Sequence, residues 1–511
     1  MSKGILELDD YPQNPYFCET LPVKFLKEQH VFPLTLNDNR LSVAMADPTN
    51  MTTVDAIQLA TGYEVIGHQS SPEDILQAIT QLYQQHSAMG EIIGDMRPES
   101  QELTQVLTDD QEEDDIKHLQ DVASEAPVIR LVNLIITRAL DSRASDIHFE
   151  PFERQFQVRY RVDGVLHDAE APPAHLQAAI TSRIKIMAKL NIAERRLPQD
   201  GRIKLKIGGK HIDFRISTLP TMHGESIVMR ILDRGNLTLD LISLGFPDDI
   251  RSKLEKMIAR PYGMILVTGP TGSGKTTTLY TTLAKINSPE KKIITVEDPI
   301  EYQLRGVNQI QTKPEIGLSF ANGLRSIVRQ DPDVIMVGEI RDRETAEIAI
   351  QSALTGHLVF STLHTNDAPG AITRLLEMGI EDYLLASSII GVLAQRLVRL
   401  ICSECKVPFD PDPGFLKEYH AVAKHLSTPT FQHGKGCRRC GDTGYYGRSG
   451  IYELLPCTDE IRKLIIQRPE AKALRDTALE QGMRTLREDG WLKIATGLTT
   501  IDEVRRVTQE D

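Results

Sequence analysis

From about residue 250 the chain runs through "MILVTG", "KIITVED", "DVIMVGE" and "HLVFSTLH", brief apolar stretches separated by segments of helical spacing. Strands covered by helices on both faces read this way, so the pattern predicts an α/β core around a mostly parallel sheet. Upstream, "FQVRYRVDG" and "HIDFRISTLP" alternate apolar with polar residues, as half-buried strands do, and Asp163-Gly164 and Gly208-Gly209 supply turns. Ahead of them "APVIRLVNLIITRALDS" sets Val128, Leu131, Val132, Ile135 and Ala139 at helical spacing, with Pro127 suited to the first turn. Residues up to about 90 combine short apolar segments ("RLSVAMADP", "YEVIGHQ") with the helix-like "SPEDILQAITQLYQ", predicting a small α/β module. The chain beyond residue 451 reads as helical, with Thr500-Ile-Asp-Glu503 predicting a capping box.

Between about Glu91 and Glu125 this periodicity dissolves into polar residues that include "DDQEEDD". Like charges repel and little apolar surface is offered, so the segment predicts a linker between modules that move relative to each other. The expected organisation is an N-terminal module (1–92), an acidic linker (93–120), a second α/β domain (121–240), a nucleotide-binding core (241–396), a four-cysteine subdomain (397–450) and a helical subdomain (451–511). With 511 residues, 41% of them hydrophobic and 25% charged, the chain can bury several cores. The net charge of -13 argues against nucleic acid as a partner, since sequence-independent binding rests on phosphate neutralisation by lysine and arginine. The N-terminus "MSKGILELDDYPQNPYF" lacks the basic start and apolar run of a signal peptide, and no unbroken apolar stretch reaches membrane-spanning length, so a cytoplasmic protein is expected.

The densest chemistry follows the strand Met264–Thr268. There Gly269, Pro270, Thr271, Gly272, Ser273, Gly274, Lys275, Thr276 and Thr277 fit G-x-x-x-x-G-K-[ST] and run into a helix expected to start at Lys275. Glycines let the backbone curl round a phosphate so that N–H groups and the helix N-terminus face the anion. Lys275 would reach the β- and γ-phosphates and Thr276 would offer its hydroxyl to Mg²⁺. The next apolar strand is followed by an acidic cluster, Glu297, Asp298 and Glu301, with Pro299 ending the strand. This acidic cluster is either a charged loop at a sheet edge or a set of carboxylates at the carboxyl end of the sheet that hold Mg²⁺ through water or orient the attacking water, Glu297 being a catalytic candidate. In "DVIMVGEIRD" a glycine, Gly338, stands where many nucleotide-hydrolysing folds carry a metal-binding aspartate. If Glu297 and Asp298 supply that charge, Glu339 is free to polarise water; otherwise it is an ion-pair partner for Arg341 or Arg343. "HLVFSTLHTNDA" brings Thr362 and His364 to a strand end, where the imidazole either senses a γ-phosphate or is a satisfied structural histidine. Arg325 and Arg329, four residues apart, are expected to share a helix face, directed at phosphate or at a neighbouring carboxylate.

Of the six cysteines, four form C-x₂-C pairs, Cys402/Cys405 and Cys437/Cys440, with 31 residues between the pairs. Four thiolates close a tetrahedral shell, so this spacing predicts a structural zinc rather than a catalytic one, with reduced thiols packed in a small core as the alternative. Cys18 and Cys457 are expected to be small buried residues.

Taken together, "GPTGSGKT", "TVEDPIEY", "IMVGEIRD" and "STLHTNDA" resemble, in order and context, the secretion ATPase superfamily. The four cysteines narrow the resemblance to the assembly ATPases of type II secretion (the general secretion pathway protein E family) and of type IV pilus extension. The likeness runs from about 120 to the end and includes "ASDIHFEP" and "RRLPQDGRI". It implies a RecA-like core preceded by a PAS-like domain, a ring of six subunits, and ATP hydrolysis with Mg²⁺. It further implies that Arg215 and Arg230 swing onto the phosphates and that Arg341 and Arg374 lie near the site or a subunit contact. Its expected partners are the cytoplasmic domain of the inner-membrane secretion protein L, docked by the N-terminal domain, and the platform protein F, with an anionic lipid surface as a further candidate. The implied function is to power pseudopilus assembly and export from the cytoplasmic face of the inner membrane. Pilus extension is the alternative, and a RecA-like nucleic-acid motor a more distant one.

Overall fold

The computed structural model describes residues 23–37, 39–79, 121–207, 209–233, 240–422 and 430–508, with 6, 11, 12, 16, 21, 89 and 92 as isolated positions. The acidic segment 93–120, Cys18 and Gly208 lie outside the described residues. The chain divides into two compact units, residues 1–162 with 166–231, and 163–165 with 232–511.

Within the first unit, helix α1 (Val23–Gln29) leads into strands β1 (Val31–Asn37) and β2 (Arg40–Met45), which pair antiparallel. Helix α2 (Met51–Thr61) then carries the chain to β3 (Glu64–Gln69), parallel to β2, and α3 (Pro72–Ala78) follows. Asn50 and Ser71 start α2 and α3 by accepting the N–H groups of Thr53 and Asp74, satisfying donors that a helix leaves open. Leu26, Val31, Phe32, Val43, Ile57 and Ile75 form the core of this module.

The second sheet begins after α4 (Ala126–Asp141), which buries Val128, Leu131, Val132, Ile135 and Ala139 as its spacing predicts, and Ile136 besides. Strands β4 (Ala144–Pro151), β5 (Phe156–Val162) and β6 (Val165–Asp168), helix α5 (Gln177–Ala188), and strands β7 (Gln199–Ile207), β8 (Lys210–Thr221) and β9 (Gly224–Asp233) build a six-stranded sheet in the order β6-β5-β4-β9-β8-β7. Between β5 and β6, Asp163 and Gly164 both take positive φ (49° and 88°), the conformation that matches the twist of paired strands. Alternation works as expected: Ile147, Phe149, Val158, Phe214, Ile216 and Met229 enter one core.

The second unit follows the order α6 (Asp248–Ile258), β10 (Gly263–Thr268), α7 (Lys275–Ile286), β11 (Ile293–Glu297), β12 (Val307–Gln311), α8 (Phe320–Ile327), β13 (Val334–Val337), α9 (Arg343–Leu354), β14 (Leu358–Leu363), α10 (Ala368–Glu377), α11 (Asp382–Ser388) and β15 (Ile389–Ile401). After β15 come β16 (Lys406–Pro408), α12 (Pro413–Val422), β17 (Gln432–Gly434), β18 (Tyr445–Pro456), α13 (Asp459–Ile466), α14 (Ala471–Glu480), α15 (Leu486–Ala495) and α16 (Ile501–Val507). Seven strands form one sheet, β12-β11-β13-β14-β10-β15-β18, parallel throughout except for β18 against β15. Both faces are covered. Met264, Leu266, Ile335 and Val337 join one apolar cluster, while Ile265, Val267, Val334 and Met336 join another.

Positions 397 and 450, set as subdomain limits from the sequence, fall inside β15 and β18, which pair from Gly391↔Pro456 to Ile401↔Tyr445. The four-cysteine segment is therefore an excursion at the far end of a two-stranded ribbon.

Two local expectations change. Thr500 starts α16 by accepting the Glu503 N–H, but Glu503 does not reach back, because its carboxylate binds Arg399 N (3.0 Å) and Arg399 Nη2 (2.6 Å). A complete capping box forms instead at Thr485 and Glu488. Helix α8 stops at Ile327, so Arg329 sits in a following 3₁₀ turn rather than on the helix face of Arg325.

Candidate nucleotide and metal sites

Strand β10 lies between β14 and β15 in the parallel sheet, and the segment 269–274 leaves its carboxyl end. Gly269 takes φ 145°, and a Cβ there would stand 2.4 Å from the Gln395 carbonyl oxygen and 2.7 Å from Ser273 Oγ. Only glycine fits this close approach. Gly274, at φ 87°, is the N-cap of α7, and the helix starts at Lys275. Thr276 is exposed at the first turn and Ser273 is buried.

Lys275 is buried, and its Nζ donates to the carbonyls of Gly269 (2.7 Å) and Pro270 (3.0 Å). Burial lowers its pKa to about 8, with the Glu339 charge opposing the shift and the Arg396 charge adding to it. The loop is also held from a strand that the motif does not include. Gln395, on β15 and almost wholly buried, donates from Nε2 to Ser273 O at 2.7 Å.

Adjacent strands bring the other candidates to the same edge. Glu339 follows β13, and its carboxylate contacts Arg341 and lies 3.3 Å from His364 Nε2 at the end of β14. The alternatives open for Glu339 thus meet in one cluster: it pairs with Arg341, while Arg343 pairs with Glu347 at 2.6 Å. Glu339 holds the Arg341 guanidinium above its usual pKa, with the Asp298 charge contributing. Thr362 is turned inward, donating to Gly338 O at 2.7 Å. Gly338 N in turn donates to Val296 O at 2.8 Å. A Cβ at 338 would come within 3.3–3.4 Å of Val296 O, the Glu297 Cα and the Phe320 ring, so glycine there serves the close packing of β13 on β11.

The two acids of the following box have opposite surroundings. Asp298 is exposed. Glu297 is buried at 3% exposure, taking hydrogen bonds from Tyr280, from Thr295 Oγ1 at 2.5 Å and from Gln309 Nε2 at 3.1 Å. Glu301 N donates to the Tyr280 hydroxyl at 3.3 Å. Burial, then the Glu297 bond, raise the Tyr280 pKa.

The arginines fall into different places. Arg325 contacts Glu344 and lies 3.1 Å from Asn322 Oδ1, whereas Arg329 reaches Ser326 Oγ at 3.4 Å. Arg374, exposed on α10, pairs with Glu377 at 3.6 Å. On the six-stranded sheet Arg215 lies half-buried in β8, and Arg230 of β9 donates to Asp146 Oδ1 at 2.9 Å.

At the far end of the ribbon the four sulfurs of Cys402, Cys405, Cys437 and Cys440 lie within 4.8 Å of one another. The separations Cys402–Cys437 (3.8 Å), Cys405–Cys440 (3.9 Å) and Cys437–Cys440 (3.7 Å) fit the edges of a tetrahedron. With metal–sulfur bonds of about 2.3 Å, that edge is roughly 3.8 Å. The amides of Cys437 and Gly444 donate to Cys440 Sγ from 3.2 and 3.3 Å, as N–H groups around a metal-bound thiolate do. Cys457 is buried, as expected.

A phosphate loop on an inner strand of a parallel sheet, with a glutamate and a histidine at neighbouring strand ends, defines a P-loop ATPase. The chain belongs to the type II/IV secretion system protein family, which it matches over residues 121–506, and an MshEN domain matches residues 3–89. It is 52% identical to "Type II secretion system protein E" of Xanthomonas campestris pv. campestris over 491 residues, 96% of this chain and 85% of that protein. "Type IV pilus assembly ATPase PilB" of Myxococcus xanthus is 46% identical, covering 99% of this chain and 89% of its own length. Among solved structures, the pilus retraction motor PilT with bound ADP superposes with a TM-score of 0.50 at 28% identity, covering 73% of this chain and 95% of that one. The α/β core, the clustered cysteines and the helical C-terminus agree with the fold expected from the sequence.

Proposed function

We propose that this ATPase is the motor of a type II secretion system, hydrolysing ATP to drive pseudopilus assembly and protein export. The carrying observation is the convergence of Lys275, Glu339 and His364 at the carboxyl ends of inner strands of one sheet, in a chain similar along nearly its whole length to a type II secretion system protein E. Amides of the 269–274 loop and Lys275 bind the phosphates, and the exposed Thr276 hydroxyl holds Mg²⁺. Mg²⁺ bound there would supply charge neutralisation to the phosphates, Asp298 would help hold it through water, and Glu297 keeps the strand end and its turn in place. Glu339, released from Arg341, aims the attacking water, and His364 reports whether a γ-phosphate is present. Arg215 and Arg230 supply further positive charge to the phosphates when the PAS-like domain closes on a core. Arg341 and Arg374 serve the site or the subunit contact. The four cysteines hold a structural zinc, for which their sulfur separations are suited.

The working form is a homohexamer on the cytoplasmic face of the inner membrane. Its N-terminal domain (1–92) binds the cytoplasmic portion of secretion protein L, and the ring acts on platform protein F, with anionic lipid as a further contact. No helix among the described residues is long and apolar enough to cross a membrane, which suits attachment through a partner. Pilus extension is the second reading, favoured by the likeness to PilB.

The test is steady-state phosphate release by the full chain with Mg²⁺ and ATP, together with copurification against the cytoplasmic domain of protein L. Turnover abolished in Lys275→Ala, with protein L retained, supports the proposal. Turnover without retention of protein L, but with retention of pilus platform components, favours pilus extension, and absent turnover contradicts both.

A further inference from the structure

We propose that Arg475, on helix α14 of the C-terminal subdomain, is a positioning residue for His364 and acts through Asp367. This rests on the reading that His364 works beside Glu339. The loop that carries His364 joins β14 to α10 and is fastened on several sides. Thr365 N donates to Thr268 Oγ1 at 2.9 Å, and the two hydroxyls lie 2.7 Å apart, tying the loop to the base of the phosphate loop. Arg396 Nη2 donates to Asn366 Oδ1 at 3.0 Å, and Ala368 N donates to the buried Glu453 Oε1 at 2.7 Å.

A further fastening crosses to the helical subdomain. Asp367 uses its two oxygens separately: Oδ1 accepts the Gly370 N–H at 2.7 Å and caps α10, while Oδ2 contacts Arg475, 108 residues further along the chain. The Asp367 side chain is 14% exposed and that of Arg475 34% exposed, so the pair is partly withdrawn from water. A charge-assisted bond there fixes the backbone three residues from the imidazole. Displacements of about 1 Å in such a constellation can cost about 10²-fold in rate. Helix α14 thereby acts on the spacing between His364 and Glu339.

Five variants of the full chain, assayed with Mg²⁺ and ATP, test this. Arg475→Ala is expected to lower kcat about 10- to 100-fold, with KM for ATP little changed because the phosphate loop is untouched. Arg475→Lys should recover part of the loss. Asp367→Asn keeps a helix-capping oxygen, since Asn caps as well as Asp, but turns an amide donor towards Arg475. It should show the same kcat loss with the α10 cap kept and at most a small fall in Tm, which covers the case that Arg475→Ala folds poorly. In a His364→Ala background, Arg475→Ala should add nothing. A His364→Ala chain at parent kcat would remove the reading beneath the inference. A slow His364→Ala with Arg475→Ala and Asp367→Asn at parent kcat overturns only the inference. So does a full further loss in the double variant, which would mark Arg475 as general scaffolding.

Discussion

Glu339 and Glu503 are the same chemical group in the same unit, yet their surroundings differ in kind. Glu503, with a side chain 1% exposed, is enclosed by the Arg399 backbone and guanidinium and by Arg506 at 2.8 and 2.9 Å. Burial alone would raise its pKa, but the hydrogen bonds from Arg506 and Arg399 outweigh it and hold the carboxyl down to about 2. Glu339, 14% exposed, meets Arg341 and His364, whose own side chains are 65% and 47% exposed. Its partners can leave. A closed carboxylate holds α16 to β15, whereas an open one at a strand end is available to water and substrate. The four-cysteine cluster belongs with the closed sites. Changes at closed sites should therefore be read as folding, and changes at open ones as turnover.

The largest expected effect on folding is at the cysteines. Cys437→Ser removes one of four ligands, and a closed zinc site contributes on the order of 10 kcal/mol to local folding. Stoichiometric zinc by metal analysis should be lost and limited proteolysis should cut between 402 and 444; retained zinc and resistance would show that the cluster is not a metal centre.

Next comes Glu503→Gln. A pKa lowered from 4.5 to about 2 means that the folded state holds this proton less tightly than the unfolded chain. The stabilisation is thus present above pH 4.5 and lost as the pH falls towards 2. In full it would amount to roughly 3 kcal/mol. Solvent around the half-exposed Arg506 reduces it to about 2 kcal/mol. Denaturant unfolding should show Glu503→Gln weaker by that amount at neutral pH and the gap narrowing in acid, with turnover per folded molecule unchanged. A pH-independent gap would contradict the assignment.

A smaller contrast lies in the helix caps. Thr500 provides half a capping box and Thr485 a whole one, so Thr500→Ala should cost about 1 kcal/mol and Thr485→Ala more. Equal losses would break that distinction. The smallest effect is expected at Arg343→Ala, an exposed i,i+4 pair with Glu347 worth about 0.3–0.5 kcal/mol.

Where the sequence carried its own punctuation, its reading held. A strand, a glycine turn and a helix start at Lys275 are adjacent in the chain, and the amphipathic helix Ala126–Asp141 needs only its own spacing. Strand β15 is not legible in the sequence, because "IIGVLAQRLVRLI" is apolar enough to suit either helix or buried strand, and periodicity alone does not separate the two. With it goes Gln395, whose support of the phosphate loop spans 122 residues. Glu297 and Asp298 look alike as neighbours in a string. Strand β11 is buried along its whole length and ends at Glu297, so the point where the chain leaves the sheet puts one acid in a hydrogen-bonded interior and the next at the surface, and two neighbouring acids in a string do not mark that point.

The most direct measurement of the central claim is phosphate release and nucleotide retention by Glu339→Gln in the full chain. If Glu339 aims the attacking water, the variant retains ATP and its release slows by about 10²- to 10⁴-fold. Turnover at the parent rate would contradict the account and return Glu339 to the closed, structural class.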